Sequence, residues 1–186
     1  VQGEVCDYPE EFFKERIHTI RRSRPDDFQI KEAAELIKKS KKPIIISGGG
    51  VFYSDATEEL SAFAQKHNIP VTQTVMGYST MKKDHSHYLG VIGGLGGKAA
   101  NNLSKETDTA IAIGTKLADF TTGSWANFEN PDFKLVSINA ARFDANKHMA
   151  QAIVGDAKVS LMELSQALGT WKADDVWSVS YTHLRA

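Results

Sequence analysis

The residues of this chain best placed to do chemistry are glycines that follow short apolar runs. Gly48-Gly49-Gly50 follows Ile44-Ile45-Ile46-Ser47, Gly93 to Gly97 follows residues 88–92, and Gly114-Thr115-Lys116 follows Ile111-Ala112-Ile113. Backbone N–H groups at such a turn carry partial positive charge and can hold a phosphate or a carboxylate. Gly94-Leu95-Gly96-Gly97-Lys98-Ala99 fits the relaxed dinucleotide pattern G-x-G-x-x-A. The next apolar run ends at Ile113-Gly114, with no acid positioned for a ribose hydroxyl. Nor is the stretch a P-loop, because Ile92 stands at the first glycine position and Ala99 follows Lys98 in place of Ser or Thr. Glycines that serve only tight turns are the competing reading.

Other constellations carry less. His85 and His87 form an H-x-H pair after Asp84 without a third ligand, so solvated loop histidines are expected there and no metal site. No G-x-S-x-G, H-E-x-x-H or C-x-x-C occurs, and Cys6 has no base beside it. Gly155-Asp156-Ala157 is a near miss for the Gly-Asp-Gly that starts a magnesium–diphosphate motif. No Asn follows at a suitable distance, so Asp156 is expected to cap a helix. The run Asp119-Phe120-Thr121-Thr122-Gly123-Ser124-Trp125 offers one carboxylate and three hydroxyls just beyond Gly114. Asp119, Thr121, Thr122 and Ser124 could line the crevice beyond a strand end; alternatively Asp119 caps a short helix while Phe120 and Trp125 pack. No catalytic residue emerges.

The elements that would position these groups alternate strand and helix. Residues 43–47, 70–74, 88–92, 109–113, 134–139 and 152–154 read as strands, several stopped by glycine. Asp26 and Asp27 can cap a helix with Ile30, Ala33, Ala34 and Ile37 on one face. Ser54 is the expected N-cap for a helix carrying Ala56, Leu60, Phe63, Ala64 and His67. A third helix runs through Ala99, Ala100 and Leu103, and a last one carries Ala157, Leu161, Leu164 and Leu168. The fold class is α/β: a doubly wound, six-stranded parallel sheet, Rossmann-like, with ligands expected beyond the strand C-termini.

The 186 residues suffice for one large domain, expected over residues 25–171. Residues 1–24 read as a linker and lead-in, and 172–186 as a tail. Within that tail, 179–186 match the in-frame translation of a sequencing adapter. A net charge of -1 gives no basic face for nucleic acid, and the apolar runs are too short to span a bilayer. A single cysteine fits a cytoplasmic, reducing setting.

Val1-Gln2-Gly3-Glu4, Asp7-Tyr8-Pro9, Gly48-Gly49-Gly50-Val51-x-Tyr53, Asp84-His85 and above all residues 114–125 resemble the 3D-(3,5/4)-trihydroxycyclohexane-1,2-dione hydrolase family. Its members are ring-opening enzymes of myo-inositol catabolism in the acetolactate-synthase-like superfamily, dependent on thiamine diphosphate and Mg²⁺. The resemblance covers residues 1 to about 171 and implies the central of three domains. The activating glutamate and the diphosphate motif would then belong to N- and C-terminal domains outside this sequence. It further implies a homodimer or homotetramer acting on a small-molecule substrate, and no activity for this stretch alone. Some superfamily members hold FAD in the central domain, for which Gly48, Gly49, Gly50, Gly94, Gly96 and Gly97 would be the natural contacts. A non-catalytic nucleotide-fold module is the remaining alternative.

Overall fold

The computed structural model describes residues 3–177. Residues 179–186, with their expected adapter origin, lie outside the described residues. Six strands form one parallel sheet: β1 (Pro43–Ser47), β2 (Val71–Gln73), β3 (Tyr88–Val91), β4 (Thr109–Ile113), β5 (Lys134–Asn139) and β6 (Gln151–Val154). Their spatial order is β3-β2-β1-β4-β5-β6, and every neighbouring pair is parallel. The chain starts at the centre, runs to one edge, then returns and runs to the other. The point of reversal lies between β1 and β4, where open sheets of this kind leave a crevice.

β1 and β4 are buried at every position, as central strands covered on both faces must be. Ile44, Ile45 and Ile46 are fully buried in sequence, each worth about 1.5–3 kcal/mol against exposure. Helix α1 (Asp27–Lys38) buries Ile30, Ala33, Ala34 and Ile37, the four residues its spacing selects, with Asp26 accepting from the Phe28 and Gln29 amides. Helix α7 (Ala157–Leu168) is capped by Asp156, as expected, and packs against α1. The start of β4 is tied to the turn before β1 by Asp108, whose carboxylate accepts from the Ser40 hydroxyl and the Lys41 and Lys42 amides.

Three local expectations change. Gly48-Gly49-Gly50 is not a plain loop: a one-turn helix, α2 (Gly49–Tyr53), begins inside it. Ser54 ends that helix and is therefore unable to start the next one. Helix α3 (Thr57–His67) begins after Ala56, with no side-chain cap. Asp119 is the first residue of the short α5 (Asp119–Thr122) and does not cap it. The remaining helices are α4 (Lys98–Glu106) and α6 (Arg142–Ala145). Residues 3–24 are exposed throughout, with a 3-10 turn at Glu10–Phe13, until Arg22 meets Asp156 and the Ser54 carbonyl. At the other end, Ala173 and Trp177 are buried, so packing continues past residue 171.

Inside α7, the Ser160 hydroxyl is buried without a hydrogen-bond partner. Removing an unsatisfied buried hydroxyl recovers its desolvation cost, so Ser160→Ala should leave stability unchanged or raise it by about 1 kcal/mol. A chemical denaturation curve checks this, and a loss of similar size would mean that the hydroxyl is bonded.

Candidate functional site

At the β1–β4 reversal point lies a cavity of about 410 Å³ lined by residues that follow β1, β2, β3 and β4. A ligand-sized volume at the C-terminal end of a parallel sheet is where this fold places function. A larger groove, about 650 Å³, lies by α1 and the N-terminal ends of β4 and β5, among Leu36, Lys39, Asp108 and Lys134. It is bordered by lysine and glutamate stems at the wrong end of the sheet for convergent loops, so the smaller cavity is the candidate site.

Its floor is built by backbone meeting backbone. The Gly48 amide donates to the Ile113 carbonyl at 2.8 Å, Gly50 to Gly114 at 2.9 Å, and Gly114 to Ile138 at 2.8 Å. A Cβ on Gly48 would lie 2.4 Å from the Gly114 oxygen, and one on Gly50 would lie 2.6 Å from the Gly114 Cα. These glycines let two strand ends touch, a use that leaves no room for a ligand between them.

One wall is the 3-10 turn Val75–Gly77, which Thr74 caps by accepting from the Gly77 amide. A buried hydroxyl network fixes it. Thr80 donates to the Gly77 carbonyl at 2.7 Å, which leaves its lone pairs for the Ser47 hydroxyl at 2.6 Å and the Gln73 amide at 3.1 Å. With every partner satisfied, Val75 and Met76 are held out over the cavity. Opposite them, Phe120 and Thr121 are set by Gly93, whose positive φ of +99° brings it against the Phe120 carbonyl. Asn101 holds that glycine by both its amide and its carbonyl, at 2.9 and 3.0 Å.

Five of the twelve residues singled out from the sequence line the cavity: Gly49, Gly50, Gly114, Thr115 and Thr121. Gly48 is buried behind them. Gly94 faces the Phe120 ring, while Gly96 and Gly97 lie outside the lining. Thr122 is buried, accepting from the Trp125 amide and donating to the Asp119 carbonyl. Asp119 and Ser124 are exposed outside the lining, and Ser124 and Trp125 continue the left-handed backbone of Gly123. Nine of the twelve donate their amides to backbone carbonyls; only Gly49, Thr115 and Asp119 are not among these donors.

Sequence reasoning missed Tyr53, Val75 and Met76 as part of the wall. The available signal was position, since Val75 and Met76 directly follow β2 beside the reversal point. It also missed Gly77, where a Cβ would sit 2.1 Å from the Ser47 oxygen. His87 bonds Ser86 and Asn68, and its ring lies 5.6 Å from that of His85.

Around the cavity, the segments that follow the strands expose large apolar side chains. Tyr53, Met76 and Phe120, which line it, and Leu95 and Phe143, which follow β3 and β5, are all more than half exposed. One charged residue, Lys116, accompanies the apolar lining. Among the described residues no group of three or more His, Cys, Asp or Glu converges. The cavity lining holds no Asp, Glu or Asn side chain, so it offers no ligand set for a magnesium–diphosphate group. No described helix is long and apolar enough to cross a membrane.

Residues 30–164 match the family model described as thiamine pyrophosphate enzyme, central domain. The chain is 46% identical over 168 residues to the 3D-(3,5/4)-trihydroxycyclohexane-1,2-dione hydrolases of Clostridium perfringens (strain 13 / Type A) and Clostridium tetani (strain Massachusetts / E88). The identity to the 3D-(3,5/4)-trihydroxycyclohexane-1,2-dione hydrolase of Bacillus thuringiensis (strain Al Hakam) is 44% over the same length. Each alignment covers 90% of this chain and 26% of the relative, so the chain spans about a quarter of their length. Among solved structures, a Mycobacterium smegmatis protein described as thiamin diphosphate-dependent superposes with a TM-score of 0.66 at 20% identity. That match covers 84% of this chain and 30% of the other, and at such identity it speaks for the fold alone.

Proposed function

The chain belongs to the thiamine pyrophosphate enzyme, central domain family, and we propose that it serves as the middle domain of a thiamine-diphosphate-dependent hydrolase. That enzyme would open the ring of 3D-(3,5/4)-trihydroxycyclohexane-1,2-dione by C–C cleavage. The domain's own part is to orient neighbours. The observation that carries this is the exposed apolar rim of the reversal-point cavity, where Tyr53, Met76 and Phe120 line the opening and stand more than half exposed. Apolar side chains gathered in this way mark an interface. The functional chemistry resides in domains beyond this sequence, in keeping with relatives of which it spans 26%. Thiamine diphosphate and Mg²⁺ belong to those domains, and the cofactor supplies the electron sink when bound.

Within this reading Thr115 and Thr121 present hydroxyls toward the shared cleft. Asp119 and Ser124 lie at its outer margin, and Thr122 supports the turn. Homo-oligomerisation of the enclosing enzyme is part of the same proposal. FAD is the weaker alternative, because the amides of Gly48, Gly50, Gly94, Gly96 and Gly97 already donate inside the chain and are not offered to a diphosphate.

The test is a ring-opening assay on the full-length protein that contains this domain. Supplied with thiamine diphosphate, Mg²⁺ and the cyclic dione, it should form the open-chain deoxy-glucuronic acid. Consumption of pyruvate to acetolactate with the dione left intact would reject the reading. A flavin absorption spectrum in the purified protein would favour the alternative.

A further inference from the structure

At its C-terminal end α3 does more than stop. Its last residue, His67, is fully buried, and Asn68 after it takes a left-handed conformation, φ 54°. Residues 171–177 lie across this corner as a strap. The His67 Nδ1 is 2.6 Å from the Trp171 carbonyl, and the Ala173 amide donates to the His67 carbonyl at 2.9 Å. Asn68 Nδ2 donates to the Ala173 carbonyl and to Asp175. At the far end the Trp177 indole N–H donates to the Pro43 carbonyl at 2.9 Å, beneath Lys42.

A carbonyl only accepts, so His67 Nδ1 carries the proton and Nε2 is left as an acceptor. Ser165 on α7 supplies the matching donor, its hydroxyl reaching Nε2 at 3.0 Å. The same oxygen receives Lys66 Nζ at 3.0 Å. A second proton on the ring would turn Nε2 into a donor, so the Ser165 oxygen would lose its own donation and take hydrogens from two cations at once. Around the ring, α3 brings Lys66 and the Phe63 ring at 4.7 Å, α7 brings Ser165, and the strap brings the Trp171 carbonyl and, at 6.3 Å, its indole. Asp175 is engaged at Asn68, as is His87 from the β2–β3 connection. Among the described residues, the partners of the imidazole are Trp171 and Ser165, neither of them a carboxylate.

We propose that His67 is a proton-sensitive latch: neutral, it fastens residues 171–177 to α3, and protonated it releases them. Burial holds its imidazole below the ordinary value of 6.5; the Trp171 bond opposes this shift and Lys66 adds to it. A lowered value in the docked state means docking is complete above about 6.5 and is lost as pH falls through the docked value. The inference stands on this corner alone and is independent of the reading above.

NMR exchange on the whole 186-residue chain tests it, following the Trp177 indole and Ala173 amide from about pH 7.5 to about pH 5. Corrected for intrinsic rates, their protection should fall by up to about tenfold per pH unit below the onset, as for one proton. The Ile111 and Ile113 amides of β4 should keep theirs. His67→Asn retains a donor for Trp171 and should abolish the pH dependence. Ser165→Ala removes the hydroxyl that favours the neutral ring and should move release to higher pH. Joint loss of strap and β4 protection, no loss by the end of the range, or an unmoved midpoint in Ser165→Ala would each overturn the latch.

Discussion

Gly114→Ala should cost about 3–5 kcal/mol of stability, combining left-handed strain with forced contact. For a chain of this size the melting temperature would drop by roughly 6–20 °C. Gly114 holds φ at +60°, and a Cβ there would come 2.5 Å from the Gly50 Cα and 2.8 Å from the Val51 nitrogen. Both are backbone atoms, so no side-chain rotation relieves the clash. The strands would have to part, and the Gly50 to Gly114 bond would go with them. Gly97 makes the control: a Cβ there meets nothing within 4 Å and its φ is -76°. Gly97→Ala should change stability by no more than about 0.5–1 kcal/mol, the scale of a weakened N-cap. Thermal melts of the two variants decide the matter. Equal, small effects would mean that the β1–β4 glycines are not packing residues, and would reopen the phosphate reading of those loops.

The second large effect is expected at Asp156. Its Oδ1 accepts from the Lys158 and Val159 amides, and its Oδ2 meets Arg22 at 3.0 Å. One nearly buried carboxylate thus caps α7 and fastens the lead-in to the domain. Asp156→Ala should lose about 2–4 kcal/mol, from the cap together with a charge-assisted bond. Asp156→Asn keeps an oxygen for the cap and should lose about 1 kcal/mol, chiefly through Arg22. Denaturant midpoints measure both. Added Mg²⁺ should leave the wild-type midpoint where it is; a rise with Mg²⁺ that Asp156→Ala abolishes would make this residue a metal ligand.

The legibility of each feature in the sequence depends on how local its signal is. β1, β4 and β5 are readable to the residue because a buried parallel strand is a run of β-branched and small apolar residues ended by a turn. The buried face of α1 is readable from its spacing, and Asp156 from the incomplete motif around it. Ser54 misleads because a cap is recognised by the helical pattern after it, whereas here a five-residue helix already ends on that serine. Such a helix, opening on glycines, has too few turns to imprint a period. The cavity wall of Val75 and Met76 depends on Ser47, Gln73 and Thr80 meeting in space, which no spacing along the chain announces. Residues 172–177 read as tail because the partners of Ala173 and Trp177, His67 and Pro43, lie far back in the chain, 134 residues in the case of Trp177. The glycine loops are correctly located at strand ends, but whether their amides face a ligand or a neighbouring carbonyl depends on sheet order.

Calorimetric titration of this 186-residue chain with thiamine diphosphate and Mg²⁺, beside the full-length protein, bears most directly on the domain as an orienting scaffold. The full-length protein should bind with a saturating heat, and the chain alone should give only heats of dilution. Stoichiometric binding by the chain alone would contradict the account, because the cofactor's anchor would then lie within these residues.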